Sequence, residues 1–438
     1  MKLPGRVLAL LEKHTRLYKK ECLTNPARAK KRKEIVLLIV AHYEERHKVR
    51  ARPAMYLSRS VRFKGWWRNW RDAGLEHLDD SALIRWCGFP KEVVFELAEE
   101  LAKDPALHAL SPDSRWSKTA NLALSPSVDV LDVLVLVLRE MATIGYQHQL
   151  CTDMGLIPTS VSKYLRVGKQ ALKRTLQRLP ATRFGFFDDP IAMARAAHHA
   201  LEEQHGQCPR TGILIGFALD GTVSPVHMPA DEELKQTYYS TSKHIPGVNT
   251  VLLVSPFGTV HAYRACLPGN CPDDTGSLPI FEWLYDPLVN PLRAGVLVDY
   301  GLAVYCSSSA NALPICRPFM PTKDTPIANP FLAAEAARMS RWVCTCRQYN
   351  EWCNGSAKRG FPRWLMKGRV ENLPHLMHDM ELYLMMYNYR VRRCEWGQVR
   401  TVYLAHMQSL FADQGMTYNE VDGSFEAVEE RTYPPGSP

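Results

Sequence analysis

The chain has 438 residues, 46% of them hydrophobic, and a formal net charge of +9, which is enough apolar material for two or three domains with cores of their own. No apolar run approaches the roughly 18 residues needed to span a bilayer, and "MKLPGRVLALLEKH" lacks a cleavage pattern after its short apolar stretch, so a soluble intracellular protein is expected. The 12 cysteines include no CxxC pair, which argues against a zinc ribbon or a disulfide framework. Cys344 and Cys346 form an isolated CxC, and buried thiols are the plain reading.

Residues 1–75 carry 20 Lys and Arg against 6 Asp and Glu, a balance of +14. Such a basic arm suits polyanions through counterion release. It also suits nuclear import through "ARAKKRK", or a solvated, partly helical tail around "KEIVLLIVAHYEERHKV". Residues 76–180 take on helical spacing. "DDSALIRWCGFPKEVVFELAEELAKDP" places Pro90 where a first turn tolerates it, and "VDVLDVLVLVLREMATIGY" is a second helix.

A helix-turn-helix is expected over about 146–178, in "QHQLCTDMGLIPTSVSKYLRVGKQALKRTL". Gly155 closes its first helix, Pro158 blocks continuation, and Thr159 or Ser160 caps the next. Val161, Leu165, Gly168 and Leu172 share one face of that second helix. Lys163, Arg166, Lys169 and Lys173 line the opposite face, the layout of a recognition helix toward DNA. A bundle helix with an ordinary wet face has the same pattern.

Residues 181–210 read as a helical linker rich in Ala and His. Strand chemistry starts at 211. "GILIGFALDG", "VNTVLLVSP" and "TVHAYRACLPG" are three strands, the last two joined by a hairpin at "SPFG". "SLPIFEWLYDPL" is a short helix and "AGVLVDYGL" a fourth strand. A Pro-rich stretch precedes two helices, 331–354 and 373–392. The acidic tail from 413 reads as disordered.

Asp220 and Asp299 each end an apolar strand. Two such acids at one sheet edge repel unless cations lie between them, and two divalent metals about 3.5–4 Å apart would organise an attacking oxygen and a leaving oxygen. Magnesium suits an all-oxygen site. A turn aspartate explains either residue alone, and a third carboxylate is needed.

Across roughly 83–395 the chain resembles PIF/Harbinger-type transposases, DDE-superfamily nucleases with an RNase H-like core. The motifs run in order. They are "LDGTVSPVHMP"; "YYSTSKHIPGVNTVLLVSPFG", with Tyr238, Tyr239, Lys243 and Asn249; "LPGNCPD", with Asn270 in place of a Ser; "VDYGL"; "RQYNEWCNGSAKRGF"; and "YLMMYN", with Tyr387 before Asn388 where the family has His.

The resemblance implies a catalytic, metal-binding triad of Asp220, Asp299 and Glu351 around Mg²⁺ or Mn²⁺. Asp273 either caps the next helix or joins the metal edge as a fourth acid. Arg347, one turn before Glu351, either pairs with it along the helix or touches a phosphate, and Lys358 is a further DNA contact. Glu335, closer in sequence to Asp299, lacks the surrounding pattern and reads as an exposed helix residue. Asn354 stands where the family carries an aromatic, a packing role open to Trp352.

The expected fold class is therefore α/β, an RNase H-like mixed sheet flanked by helices and preceded by an all-α helix-turn-helix region. The expected domains are an arm (1–75), a helical region (76–180), the linker, a nuclease domain (211–395) and a tail (396–438). The expected function is a metal-dependent DNA endonuclease, a hydrolase of phosphodiesters that also joins strands. Double-stranded DNA is the expected partner, and a Myb-like DNA-binding protein and a nuclear location follow from the resemblance. A catalytically silent DNA-binding protein of the same fold is the alternative. A two-carboxylate sugar hydrolase leaves the basic arm unexplained.

Overall fold

The computed structural model describes residues 65–72, 79–108, 128–185, 190–210, 212–299, 329–365 and 368–394, with short pieces at 314–318, 402–403, 416–419 and 424–427 and isolated positions such as Leu302. The chain divides into two units, one of 1–73 and 147–161, the other of 74–146 and 162–438. Most of the basic arm, including the expected helical patch at 33–49, lies outside the described residues.

In the first unit, α1 (Gly65–Asp72) packs on α6 (Gln147–Met154). Trp67, Leu150 and Met154 are buried there. Gly155 closes α6 with φ +64°, a conformation glycine adopts without a steric penalty. The next helix, α7 (Pro158–Arg178), starts at Pro158 itself rather than after a Thr159 or Ser160 cap. Proline is preset for a first turn and has no N–H to leave unpaired.

In the second unit, α2 (Asp80–Cys87), α3 (Lys91–Ala102) and the short α4 (Pro105–His108) precede α5 (Val130–Met141). An Asp129–Asp132 capping box starts α5, and Val133 to Leu138 are buried all round it. At Gly168 of α7 a Cβ would fall 2.7 Å from Val133 Cγ1 and 2.8 Å from Val137 Cγ2. That glycine sets the approach of α7 to α5, as its place on the apolar face implies.

The sheet is built from β1 (Ile215–Pro225), β2 (Tyr239–Ser240), β3 (Ile245–Val254), β4 (Val260–Pro268), β5 (Gly295–Leu297) and β6 (Ile315–Cys316). β3 pairs antiparallel with β1, β4 and β2. β5 then adds to β1 in parallel, and β6 to β5. The hairpin at 255–258 is as expected, with Gly258 at φ +80°. The result is a mixed sheet flanked by helices.

One face is covered by α8 (Pro190–His205) and α10 (Asp273–Tyr285). Ala194, Ile280, Phe281 and Leu284 pack there on Phe217, Leu219, Val251 and Leu253. Residues 190–205 are thus a core helix, not a linker. The alanines of α8 keep it thin enough for Gly216 of β1 to lie against Ala194. The short α9 (Glu232–Thr237) precedes β2.

The helix expected over 331–354 is two, α11 (Pro330–Cys346) and α12 (Gln348–Gly360), which meet at Arg347. α12 packs on β1, and α13 (Leu373–Arg393) on β4. Asn388 of α13 accepts from Val260 N (2.9 Å) and donates to Val260 O (2.9 Å), while Tyr387 donates to Gly258 O (2.8 Å). The tail forms a two-stranded antiparallel ribbon, β7 (Met416–Asn419) with β8 (Ser424–Ala427), where disorder is expected from composition. Both strands carry an aromatic residue, which favours extended pairing over coil.

Candidate functional site

β1 does not end at Asp220. It continues five residues to Pro225, with Asp220 opposite Leu252 and Thr222 opposite Thr250. Successive side chains on a strand alternate in face, and this alternation places the site. Leu219 and Phe217 point into the core under α10, so Asp220, Thr222 and Ser224 point the other way, toward α12. Contacts bear this out. Lys358 of α12 donates to Thr222 Oγ1 and to Val223 O, and Trp364 Nε1 donates to Ser224 Oγ (2.6 Å). The polar alternation in "DGTVSP" is a sequence signal for this buried polar seam, and the strand's apolar lead-in masks it.

At the start of α12 stands Glu351, with Arg347 at the junction just before it. The guanidinium of Arg347 meets all three acids expected to form the triad. Its Nη2 donates to Glu351 Oε1 at 3.3 Å and lies 3.8 Å from Asp299 Oδ1, and its Nη1 is 3.9 Å from Asp220 Oδ1. Arg347 is therefore more than an intrahelical partner of Glu351. Its side chain is 16% exposed and its Nε is buried with no hydrogen-bond partner. Asp220, Asp299 and Glu351 arrive from distant parts of the sequence: mid-strand on β1, just past the end of β5, and the first turn of α12.

Burial pushes the Asp220 carboxyl up to about 6. Arg347 pulls it down, while Asp299 and Asp273 push it up again.

Asp273 neither caps α10, whose preceding residue is Pro272, nor stands with the other three. Its carboxylate accepts from Asn249 Nδ2 at 2.6 Å and fills the space beside Gly221, where a Cβ would fall 2.5 Å from Asp273 Oδ1. Gly221 and Asn249 share the α10 side of the sheet with Leu219 and Val251. Asp273 thus reaches the strand from the opposite face and touches Asp220 only through its field. Gly221 serves here as room for a carboxylate rather than as a turn.

Among the described residues, no three acids, histidines or cysteines stand close enough to hold a metal ion as they are. The chemistry of the donors nonetheless suits a hard divalent cation. All are carboxylate oxygens, and all three acids come within 4 Å of a single guanidinium. Glu351 and Asp299 are open to solvent, with side chains 60% and 54% exposed.

The cations expected on the DNA face divide. Lys169 lies between Glu140 (3.1 Å) and Asp379 (3.0 Å), and Lys173 pairs with Glu381. Both are built into the packing of α7 with α5 and α13, and neither faces outward as a recognition helix requires. Lys163 sits over the Tyr164 ring at 5.7 Å, and Arg166 is exposed. Lys358 is half-buried. Burial lowers its pKa, Lys243 lowers it further, and Asp220 raises it. Glu335 is exposed on α11, as expected.

Asn354 is buried and donates to Asn350 Oδ1 (3.2 Å), so a polar pair fills the position expected to be aromatic. Asn249, a residue of the resembled motif, anchors Asp273, and Thr222, one of the alternating polar residues of β1, anchors Lys358. No family model matches the chain, and no curated protein or solved structure matches it.

Proposed function

We propose that this chain is a metal-dependent nuclease of the PIF/Harbinger transposase type, acting on phosphodiesters of double-stranded DNA. The observation that carries the reading is the meeting of Asp220, Asp299 and Glu351, from three distant segments, on one guanidinium. The sheet, in which an antiparallel trio is extended by parallel β5 and β6, supports an RNase H-like identity.

In this reading the three acids hold Mg²⁺ or Mn²⁺. Such ions would supply activation of a water or 3′-hydroxyl and stabilisation of the leaving oxygen. The chain's own residues do the rest. Thr222 and Val223 hold Lys358 beside the acids with Lys243 near it, a pair of positive charges for the oxygens of the DNA strand. Arg166 and Lys163 on α7, with the +14 arm, attract the duplex through its phosphates. A Myb-like partner and a nuclear location belong to the same proposal.

The second reading is a DNA-binding protein that does not cut. One observation favours it: Arg347 already serves the acids as a counter-ion. Nicking of supercoiled plasmid separates the two. The nuclease reading expects nicking with Mg²⁺ or Mn²⁺, none with a chelator, and a loss in Asp220→Ala greater than the ~100-fold that follows loss of an outer-shell partner. Nicking that persists in Asp220→Ala removes the triad assignment. Absence of nicking on DNA carrying the gene's own flanking sequence selects the silent protein.

A further inference from the structure

We infer that Arg347 is a positioning residue that couples DNA to metal: its guanidinium holds the acids together when both ligands are absent, and a DNA phosphate draws it away and opens the carboxylates to a divalent cation. The inference rests on the metal-dependent reading above, and three features of the site lead to it.

The first is incomplete satisfaction. A guanidinium carries five N–H donors. In this site it makes one hydrogen bond to the acids, at 3.3 Å to Glu351, and stands 3.8 and 3.9 Å from the other two, while its buried Nε has no partner. A phosphate offers the paired oxygens that a guanidinium fork matches, and so a better arrangement than the one Arg347 has.

The second is exclusion. The guanidinium lies within 4 Å of an oxygen of each acid. A divalent ion on the same oxygens would face a like charge at short range, with little water between to screen it. Arg347 in this position and a metal between the acids therefore oppose each other.

The third is room to move. Arg347 sits at the junction of α11 and α12, where the helix is already interrupted. Asp299 and Glu351 are exposed, so the site opens to solvent on that side, and Lys358 and Lys243 already bring positive charge to it.

A group that competes with metal for the acids and pairs with phosphate makes the two ligands help each other, and by linkage the help is equal in both directions. The ions would then settle in the site chiefly when DNA is present.

The test is Mn²⁺ binding to the full chain, read from the paramagnetic resonance of unbound Mn²⁺. It is run with and without inorganic sulfate, a tetrahedral stand-in for the phosphodiester, at constant ionic strength. Sulfate is expected to tighten Mn²⁺ at least about fivefold in the wild type, the lower end of typical couplings. Arg347→Met, which keeps the apolar stem, is expected to bind Mn²⁺ more tightly than the wild type without sulfate and to lose the sulfate dependence. Asp220→Asn is expected to weaken Mn²⁺ binding in either case.

The wild-type measurement alone decides the matter if the Met variant does not fold. Mn²⁺ binding that needs Asp220 but ignores both sulfate and Arg347 overturns the coupling and leaves the metal site standing. Mn²⁺ binding that ignores Asp220 as well overturns both.

Discussion

Two clusters in the second unit set cations among carboxylates, and they differ in the balance of charge. Around α7, Lys169, Lys173 and Arg363 meet Glu140, Asp379 and Glu381, with Arg363 2.9 Å from Glu140. At the sheet, Arg347 meets Asp220, Asp299 and Glu351 at longer range, with Lys358 close to Asp220. Burial works against the Lys169 ammonium, yet Glu140 and Asp379 more than restore it, so the first cluster is closed on itself. The second sets three acids against Arg347 and the nearby Lys358, and burial, more than repulsion between the acids, raises the Asp220 carboxyl. Equal numbers of opposite charges make a joint; an excess of one sign makes a place for something else.

The sharpest way to break this comparison is to remove one cation from each cluster. Lys169→Met leaves the almost fully buried Glu140 with Arg363 as its remaining cation, and is expected to cost about 3 kcal/mol in urea unfolding, the low end for a broken buried pair. Arg347→Met should cost less than about 2 kcal/mol, because two of its three partners are exposed and screened. Equal losses would mean that both clusters are structural.

The buried Asp220 carboxyl has a pH signature of its own. Asp220 has a folded pKa of about 6 against an ordinary 3.8, so between those values the folded chain binds its proton more readily than the unfolded one. This group therefore favours the folded state less and less as pH rises through that window. Asp220→Asn should unfold at higher denaturant than wild type above pH 6, by up to about 3 kcal/mol, with the gain gone below about pH 3.8. A variant that is weaker at every pH would show that Arg347 depends on that carboxylate. The smallest effect is expected outside both clusters. Glu335→Gln should leave stability within about 0.5 kcal/mol and leave plasmid nicking unchanged.

Much of the architecture is legible from short-range pattern. The hairpin at 255–258, the apolar strands and the helices around Gly155 follow from alternation, turn chemistry and period. So does the nomination of Asp220 and Asp299, whereas Glu351 is named only through the family resemblance. The rest depends on what lies across a gap of sequence. The basic face of α7 reads as a DNA surface because a helical period shows which residues share a side, not which acids face it, and Asp379 and Glu381 lie some 210 residues away. α8 reads as a linker because alanines contribute little apolar signal, although small size is what a helix pressed on a sheet needs. The split at Arg347 leaves no mark in a helical period that runs through it. Asp273 keeps both its readings open until Gly221 is seen to make room for it.

Among the described residues β4 pairs with β3 on one side only, and the outer edge of such a strand is where another chain could add itself. At Val260 that opportunity is gone. The Asn388 amide presents one acceptor and one donor at the spacing of a peptide group, and so takes the seat an incoming strand would need. Self-association by strand addition is thereby discouraged at the end of the sheet nearest the hairpin, by a single side chain that belongs to a helix.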